Sequence, residues 1–293
     1  MHLPVLKKEV IHYLEPKANE NFIDCSVGEG GHTISLLKKN KPNGKVLGIE
    51  IDSELYQKIR SGLAKIQNRL ILVNDSYINL EKIIKKYKFK SIKGILIDLG
   101  LSTWHLKESK RGFSFLKNEP LEMRYNLNNP LTAQEIINHW SETEIEKILK
   151  EYSQERFSKR ITKEIINQRK VKPIKTTFQL VEIIKKTTPS WYHHKKIHFA
   201  TRTFQSLRIA VNDELNNLKK VLGQAIKILD KKGKLVIISF HSLEDGIVKN
   251  FFQQKAKENL IKILTEKPIR PSIQEIKVNP SSRSAKLRAC SKL

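Results

Sequence analysis

Short apolar runs and polar helical stretches alternate through the first hundred residues. Phe22-Ile23-Asp24-Cys25 ends in polar and glycine residues, and a helical spacing follows through Ile34, Leu36 and Leu37. Lys45-Val46-Leu47-Gly48-Ile49 is a second run, followed by a polar helix predicted from Ser53 to about Ile66. Leu70-Ile71-Leu72-Val73 is a third, with a Lys-rich amphipathic helix from Ile78 to Tyr87 after it, and Gly94-Ile95-Leu96-Ile97-Asp98 is a fourth. Short apolar runs separated by helices mark a parallel sheet buried on both faces. Four such units predict a doubly wound α/β domain.

The alternation then stops. From about Ser109 to Phe199 the spacing is helical, with no convincing strand. Ser141-Glu142-Thr143-Glu144 is a capping-box pattern opening a helix with Ile145, Ile148 and Leu149 on one face. Thr177 is the expected cap of another, carrying Leu180, Val181, Ile183 and Ile184 and stopping before Pro189. The α/β pattern resumes after Thr201, with one long helix predicted from about Thr203 to Leu229. The turn Asp230-Lys231-Lys232-Gly233 and the strand Leu235-Val236-Ile237-Ile238-Ser239-Phe240 follow. The expected organisation is a discontinuous α/β domain, 1–108 and 200–293, interrupted by a helical domain, 109–199.

The candidate chemistry lies at the strand ends. Asp24-Cys25-Ser26-Val27-Gly28-Glu29-Gly30-Gly31-His32 is a Gly-rich loop between a strand and a helix, where a ligand can approach the backbone. The dinucleotide fingerprint G-x-G-x-x-G fits at Gly28 and Gly30 but meets Thr33 at its third glycine. Glycine density with an acid at the strand end suits the methionine part of S-adenosylmethionine, whose cationic amino group needs an anion and which has no pyrophosphate to cradle. Glu50 ends the second run, where a carboxylate can accept both ribose hydroxyls. Asp98 ends the fourth, at the crevice where open α/β sheets bind ligands. Any one of these acids could be a helix cap or a solvated turn; three at three strand ends beside a Gly-rich loop make a cofactor site the better reading. Cys25 reads as a small buried residue rather than a nucleophile.

Charge brings in a partner. The chain carries 55 Lys and Arg against 30 Asp and Glu, a formal net charge of +25. Such an excess attracts polyanions, nucleic acid first among them. The cations are mostly Lys in an Ile- and Asn-rich chain, so compositional drift accounts for the excess about as well. Two cysteines, Cys25 and Cys290, offer neither a disulfide framework nor a zinc spacing, and no metal is expected. Met1 to Lys8 is charged where a signal peptide needs an apolar core. No stretch reaches the roughly 18 apolar residues of a membrane span, so the expectation is a cytoplasmic protein without membrane contact.

Further motifs appear in order along almost the whole chain. They are His2-Leu3-Pro4-Val5-Leu6, the loop Asp24 to His32, Asp98-Leu99-Gly100-Leu101-Ser102, Arg111-Gly112-Phe113-Ser114-Phe115 and Leu121-Glu122-Met123-Arg124. Then come Ala200-Thr201-Arg202-Thr203-Phe204-Gln205-Ser206-Leu207-Arg208-Ile209, Phe240-His241-Ser242-Leu243-Glu244-Asp245 and Ser282-Arg283-Ser284-Ala285-Lys286-Leu287-Arg288. With these the chain closely resembles the ribosomal RNA small subunit methyltransferase H family, also called MraW. The resemblance implies a class I methyltransferase (Rossmann-like) doubly wound sheet with an inserted helical domain for substrate recognition. It implies N4-methylation of a cytidine in the decoding centre of 16S rRNA, within the small ribosomal subunit, with S-adenosylmethionine as donor. It places cofactor contacts on Gly30, Gly31, His32, Glu50, Tyr77, Asp98 and His105, beside Asp24 and Gly28 of the loop. Glu50 stands where the family usually has Asp, Tyr77 where it has Phe, His105 where it has Gln, Glu122 where it has Asp and Phe199 where it has Pro. Gly246 and Ser281 stand where arginines are common. The oligomeric state is left open, a homodimer included.

The N4 lone pair of cytosine is delocalised into the ring, so the amine is a poor nucleophile. Alignment and an acceptor for its N–H as positive charge develops are what a protein can supply. Asp98 is the candidate acceptor and Ser102 a weaker one; Asp98 could equally hold only the cofactor or the loop. Attack by nitrogen needs no covalent adduct with the base, which fits the absence of Cys in the loop after Asp98. The base must be single-stranded or flipped. Trp104, Phe113 and Phe115 could stack on it, although packing in the helical domain is the simpler role. Arg111, Arg124, Arg202, Arg208, Arg283 and Arg288 are candidate substrate contacts, since a planar guanidinium suits phosphate. Arg202 and Arg208 could instead pair with Asp213 or Glu214. His241 is a substrate contact or a structural partner. A DNA amino-methyltransferase would carry a Ser/Asp-Pro-Pro-aromatic stretch after the fourth strand, which Asp98-Leu99-Gly100-Leu101 is not. A non-catalytic RNA-binding assembly factor would have a degraded glycine loop or a lost Asp98. A nicotinamide-dependent oxidoreductase is disfavoured by Thr33.

Overall fold

The computed structural model describes residues 3–63 and 68–293. His2, quoted above as part of a motif, lies outside the described residues, as does the far end of the helix expected to reach Ile66. Seven strands form one sheet: β1 Asn21–Asp24, β2 Val46–Glu50, β3 Leu70–Asn74, β4 Ile92–Asp98, β5 Lys234–Ser239, β6 Ile261–Ile263 and β7 Lys286–Lys292, in the order β3-β2-β1-β4-β5-β7-β6. The first five pair in parallel, and β7 runs antiparallel between β5 and β6. Alternation along each strand divides the core. Ile23, Leu47, Ile95, Ile97, Leu235 and Ile237 belong to one buried cluster, with Leu218, Val221, Val248 and Phe252. Phe22, Val46, Leu96, Val236 and Ile238 belong to the other, with Val5, Leu6, Val10, Leu14 and Leu36. Burial on both faces is what the near-continuous apolar runs require. The chain order reverses between β1 and β4, and at such a switch point the strand ends open a crevice.

The chain divides into two compact units, Met1–Ser102 with Leu215–Leu293, and Thr103–Glu214. The second is helical. Its helices are Ala133–His139, Glu142–Ser153, Ser158–Val171, Thr177–Thr187, Ser190–His193 and Thr201–Asn212, after a short helix Thr103–Lys107. The capping box at Ser141 is present, with the Ser141 side chain accepting from Glu144 N–H and the Glu144 carboxylate accepting from Ser141 N–H. The next cap falls one residue earlier than expected. Thr176 caps with Gln179, while the Thr177 hydroxyl donates to Lys117 O and accepts from Glu119 N–H.

Two sequence expectations need correcting. The long helix from Thr203 to Leu229 is two helices, Thr201–Asn212 and Glu214–Ile228, because Asp213 takes a left-handed φ of 49° and closes the first. The helical unit is also wider than 109–199. Thr201–Asn212 packs on Glu142–Ser153 within it, the Ser206 hydroxyl donating to Ser153 Oγ at 2.6 Å and the Gln205 amide to Tyr152 O.

Candidate cofactor site

Loop conformation comes first. Gly28 (φ 54°) and Gly30 (φ 83°) occupy the left-handed region, which a side chain strains. They turn the chain from the end of β1 into the helix Gly31–Lys39. Asp24 is fully buried at the strand end. Its Oδ2 accepts from the Thr33 hydroxyl at 2.7 Å and its Oδ1 from Ser26 N–H at 3.2 Å. Thr33 therefore does what the dinucleotide fingerprint's glycine cannot: from the first turn of the helix it fixes the orientation of Asp24. The sequence reading used this position only as a missing glycine.

Glu50, at the end of β2, sits against the same loop. Its Oε2 accepts from Gly28 N–H at 3.0 Å and its Oε1 from Asp52 N–H at 2.9 Å. Each carboxylate oxygen has a second acceptor position, so two sites remain for a diol. Tyr77 lies in a single 3-10 turn, Tyr77–Asn79, just beyond β3, half-buried against the core.

Asp98 ends β4. Its N–H donates to the Ser26 hydroxyl at 2.7 Å, tying β4 to the glycine loop, and its Oδ1 accepts from Gly100 N–H at 3.1 Å. His32 Nε2 is 3.7 Å from Asp98 Oδ2. Gly100 has no room for a side chain, since a Cβ there would lie 2.7 Å from the Phe240 ring. Ser102 closes the segment, its Cβ 3.9 Å from where a Gly28 side chain would start. Of the three acids Asp98 is the most accessible, half-buried where Asp24 and Glu50 are buried.

Burial lifts all three acids above the ordinary carboxylate range. Asp24 rises to about 6, despite the opposing hydrogen bonds from Thr33 and Ser26. Glu50 rises to about 8, from burial and the nearby charges of Asp52 and Asp24. Asp98 rises to about 7, from burial with Asp24 and Glu244 adding repulsion. Three desolvated acids beside backbone glycines fit a ligand with cationic centres and a vicinal diol, the groups S-adenosylmethionine carries. The Cys25 thiol is pushed well up by burial, consistent with a packed residue rather than a nucleophile.

Many of the remaining candidates are committed to holding backbone. His241 caps the helix Ser242–Lys257. Its Nδ1 accepts from Glu244 N–H, while Glu244 accepts from the N–H groups of Phe240 and His241 and lies 3.0 Å from His241 Nε2. Arg288 donates to Asp245 Oδ1 at 2.6 Å, with Lys286 on the same carboxylate. In the helical unit Arg208 makes a two-point pair with Glu214 at 2.8 and 2.9 Å. Arg124 donates to Leu127 O and Asn129 O beside Glu122. Arg111 is buried, donates to Arg124 O and lies over the Trp104 ring. Arg202 donates to Gln154 O, and Arg283 stands exposed in the 3-10 turn Pro280–Ser284. His105 is buried among the rings of Trp104, Phe113 and Tyr125. Phe115 stacks on His198 at 4.4 Å, so the three aromatics considered for base stacking pack within their own unit. Sequence reasoning missed Thr33, Ser26 and Glu244; only the spacing of Thr33 from Asp24, one strand end to the next helix turn, could have signalled the first.

The MraW methylase family matches residues 1–293. A ribosomal RNA small subunit methyltransferase H from Thermotoga neapolitana is 45% identical, over 98% of this chain and 95% of that protein. Its counterpart from Thermosipho melanesiensis is 45% identical over 100% and 98%, and that from Sulfurihydrogenibium sp. is 44% identical over 98% and 97%.

Proposed function

Since the chain belongs to the MraW methylase family, we propose that it methylates the exocyclic N4 amine of a cytidine in the decoding centre of 16S rRNA, using S-adenosylmethionine. The family membership makes it an S-adenosylmethionine-dependent methyltransferase of small-subunit ribosomal RNA. The base, the atom and the small-subunit context are our reading. The observation that carries the site assignment is the convergence of Asp24, Glu50 and Asp98, at three neighbouring strand ends, on one glycine loop. No helix among the described residues is long and apolar enough to cross a membrane, and a ribosomal substrate puts the reaction in the cytoplasm.

When bound, S-adenosylmethionine supplies a methyl group made electrophilic by its sulfonium. Asp24, oriented by Thr33, offers a fixed anion for an ammonium. Glu50 keeps acceptor capacity for ribose hydroxyls, Tyr77 supplies a ring for adenine, and Gly28, Gly30, Gly31 and His32 line the approach. The family resemblance adds His105 as a further cofactor contact. Asp98 is the acceptor for the N4–H: it is the most open of the three acids, and a carboxylate there stabilises the charge that grows on nitrogen. Ser102 is the secondary candidate. Arg202 and the exposed Arg283 are the candidate phosphate contacts, while Arg111, Arg124, Arg208, Arg288 and His241 serve the substrate through the loops and helix ends they pin.

The test is transfer of labelled methyl to small ribosomal subunits, naked 16S rRNA and DNA, followed by nucleoside analysis. N4-methylcytidine in rRNA is expected; label only in DNA, or as 5-methylcytidine, overturns the proposal. Asp98→Asn should keep cofactor affinity within a few-fold and lose turnover; lost cofactor binding would reduce Asp98 to a cofactor-holding residue.

A further inference from the structure

The helical unit carries a tryptophan that its own packing does not explain. Trp191 lies on the short helix Ser190–His193 and is 51% exposed. The backbone under it is pinned. The neighbouring Tyr192 is buried and donates its hydroxyl to Glu155 at 2.9 Å, and Thr188 Oγ1 lies 2.8 Å from His193 Nε2. The Phe157 ring is 5.0 Å from Tyr192 and 6.0 Å from Trp191. A fixed, outward-facing indole is therefore built into the surface.

Cations surround it. Lys195 Nζ is 4.7 Å from the Trp191 ring centre and the Arg156 guanidinium 5.7 Å, while Arg160 lies 5.9 Å from the Phe157 ring. Lys159, His194 and Lys196 are exposed on the same two segments. No carboxylate occurs from Ile183 to Asn212. Between Gln154 and Lys163 the one acid is Glu155, buried and engaged by Tyr192.

We propose that Trp191, with Arg156, Arg160 and Lys195, is a stacking platform for single-stranded RNA. Bases present a π-face to an exposed indole while flanking cations take the phosphates, a combination that tracks a single strand without reading its sequence. A duplex keeps its base faces inside the stack and cannot use the ring. A purely structural cation–ring clasp would have no need to leave half the indole in water. The inference rests on the reading of this chain as an RNA methyltransferase and adds a contact outside the motifs that carry that reading.

The experiment follows binding of the full-length protein to a short unstructured RNA, the matching RNA duplex and heparin by tryptophan emission, with affinity read from the anisotropy of a dye attached to each RNA. It is done for wild type, Trp191→Ala and Trp191→Phe, alongside methyl transfer to 16S rRNA. The expected result is quenching by the single strand that is lost with the indole. Affinity should fall on the order of tenfold in Trp191→Ala and largely return in Trp191→Phe, with KM for S-adenosylmethionine unchanged. Equal single-strand affinity in Trp191→Ala, or heparin and duplex RNA quenching as strongly as the single strand, overturns the platform. So does a change of oligomeric state in Trp191→Ala with RNA affinity intact, which would make the surface a protein contact. If the wild-type protein methylates no RNA, the proposed function has failed; if it does and Trp191 is indifferent, only the platform has.

Discussion

Asp24, Glu50 and Asp98 are held partly protonated near neutrality by burial, at about 6, 8 and 7 respectively. A cationic ligand favours the carboxylates, lowers these values and expels protons. Calorimetry of S-adenosylmethionine binding at pH 7, in buffers of different ionisation enthalpy, should therefore report proton release. S-adenosylhomocysteine, lacking the sulfonium charge, should release less, and Asp98→Asn less again. The same upshifts set the ligand-free protein's stability. An acid raised in the fold stabilises it fully below its ordinary value and ceases to as pH rises through the raised one. Asp98→Asn should accordingly flatten the melting temperature against pH through about 7. Thr33→Val removes the hydroxyl that opposes the upshift of Asp24. Asp24 then ionises at higher pH, so the inflection in KM for S-adenosylmethionine should move up from about 6, with kcat at high pH little changed. An unmoved inflection would show that Asp24 does not meet the cofactor's ammonium.

The elements that position these residues were legible because their signals are local. Five buried parallel strands read as five apolar runs, and the Gly-rich turn and the acids that end three of them sat where the pattern changed. The antiparallel β7 was not legible. Leu287 and Ala289 join one core cluster and Cys290 the other, with Arg288 between them, so neither alternation nor a continuous apolar run appears. The break at Asp213 was hidden because apolar spacing continues through it; only the left-handed backbone marks it. His241 illustrates an ambiguity that only the element resolves, since a histidine in a motif and a histidine at a helix start look alike in sequence. As the cap of Ser242–Lys257 it should be replaceable by Asn, whose amide oxygen takes the place of Nδ1. His241→Asn should melt within about 0.5 kcal/mol of wild type and keep methyl transfer within a few-fold, whereas His241→Ala should lose about 1 kcal/mol. Lost activity in a fully stable His241→Asn would make it a substrate contact.

For the whole molecule, the excess of 55 cations over 30 acids admits two explanations, background composition or attraction to RNA. They differ in what removing charge does. Counterion release makes affinity for a single strand fall with salt by a slope of about 0.7 per phosphate neutralised. If the excess is background, any three surface lysines or arginines contribute alike. If the helical unit carries the contact, position decides. Removing Arg156, Lys159 and Lys195 together as glutamines should reduce the slope by about two. The same number removed from the helix Leu80–Tyr87, at the exposed Lys82, Lys85 and Lys86, should leave it unchanged. Each triple variant lowers the formal net charge equally, so a difference between them is a difference of place. Equal slopes would return the charge to background composition and leave RNA recognition to contacts of another kind.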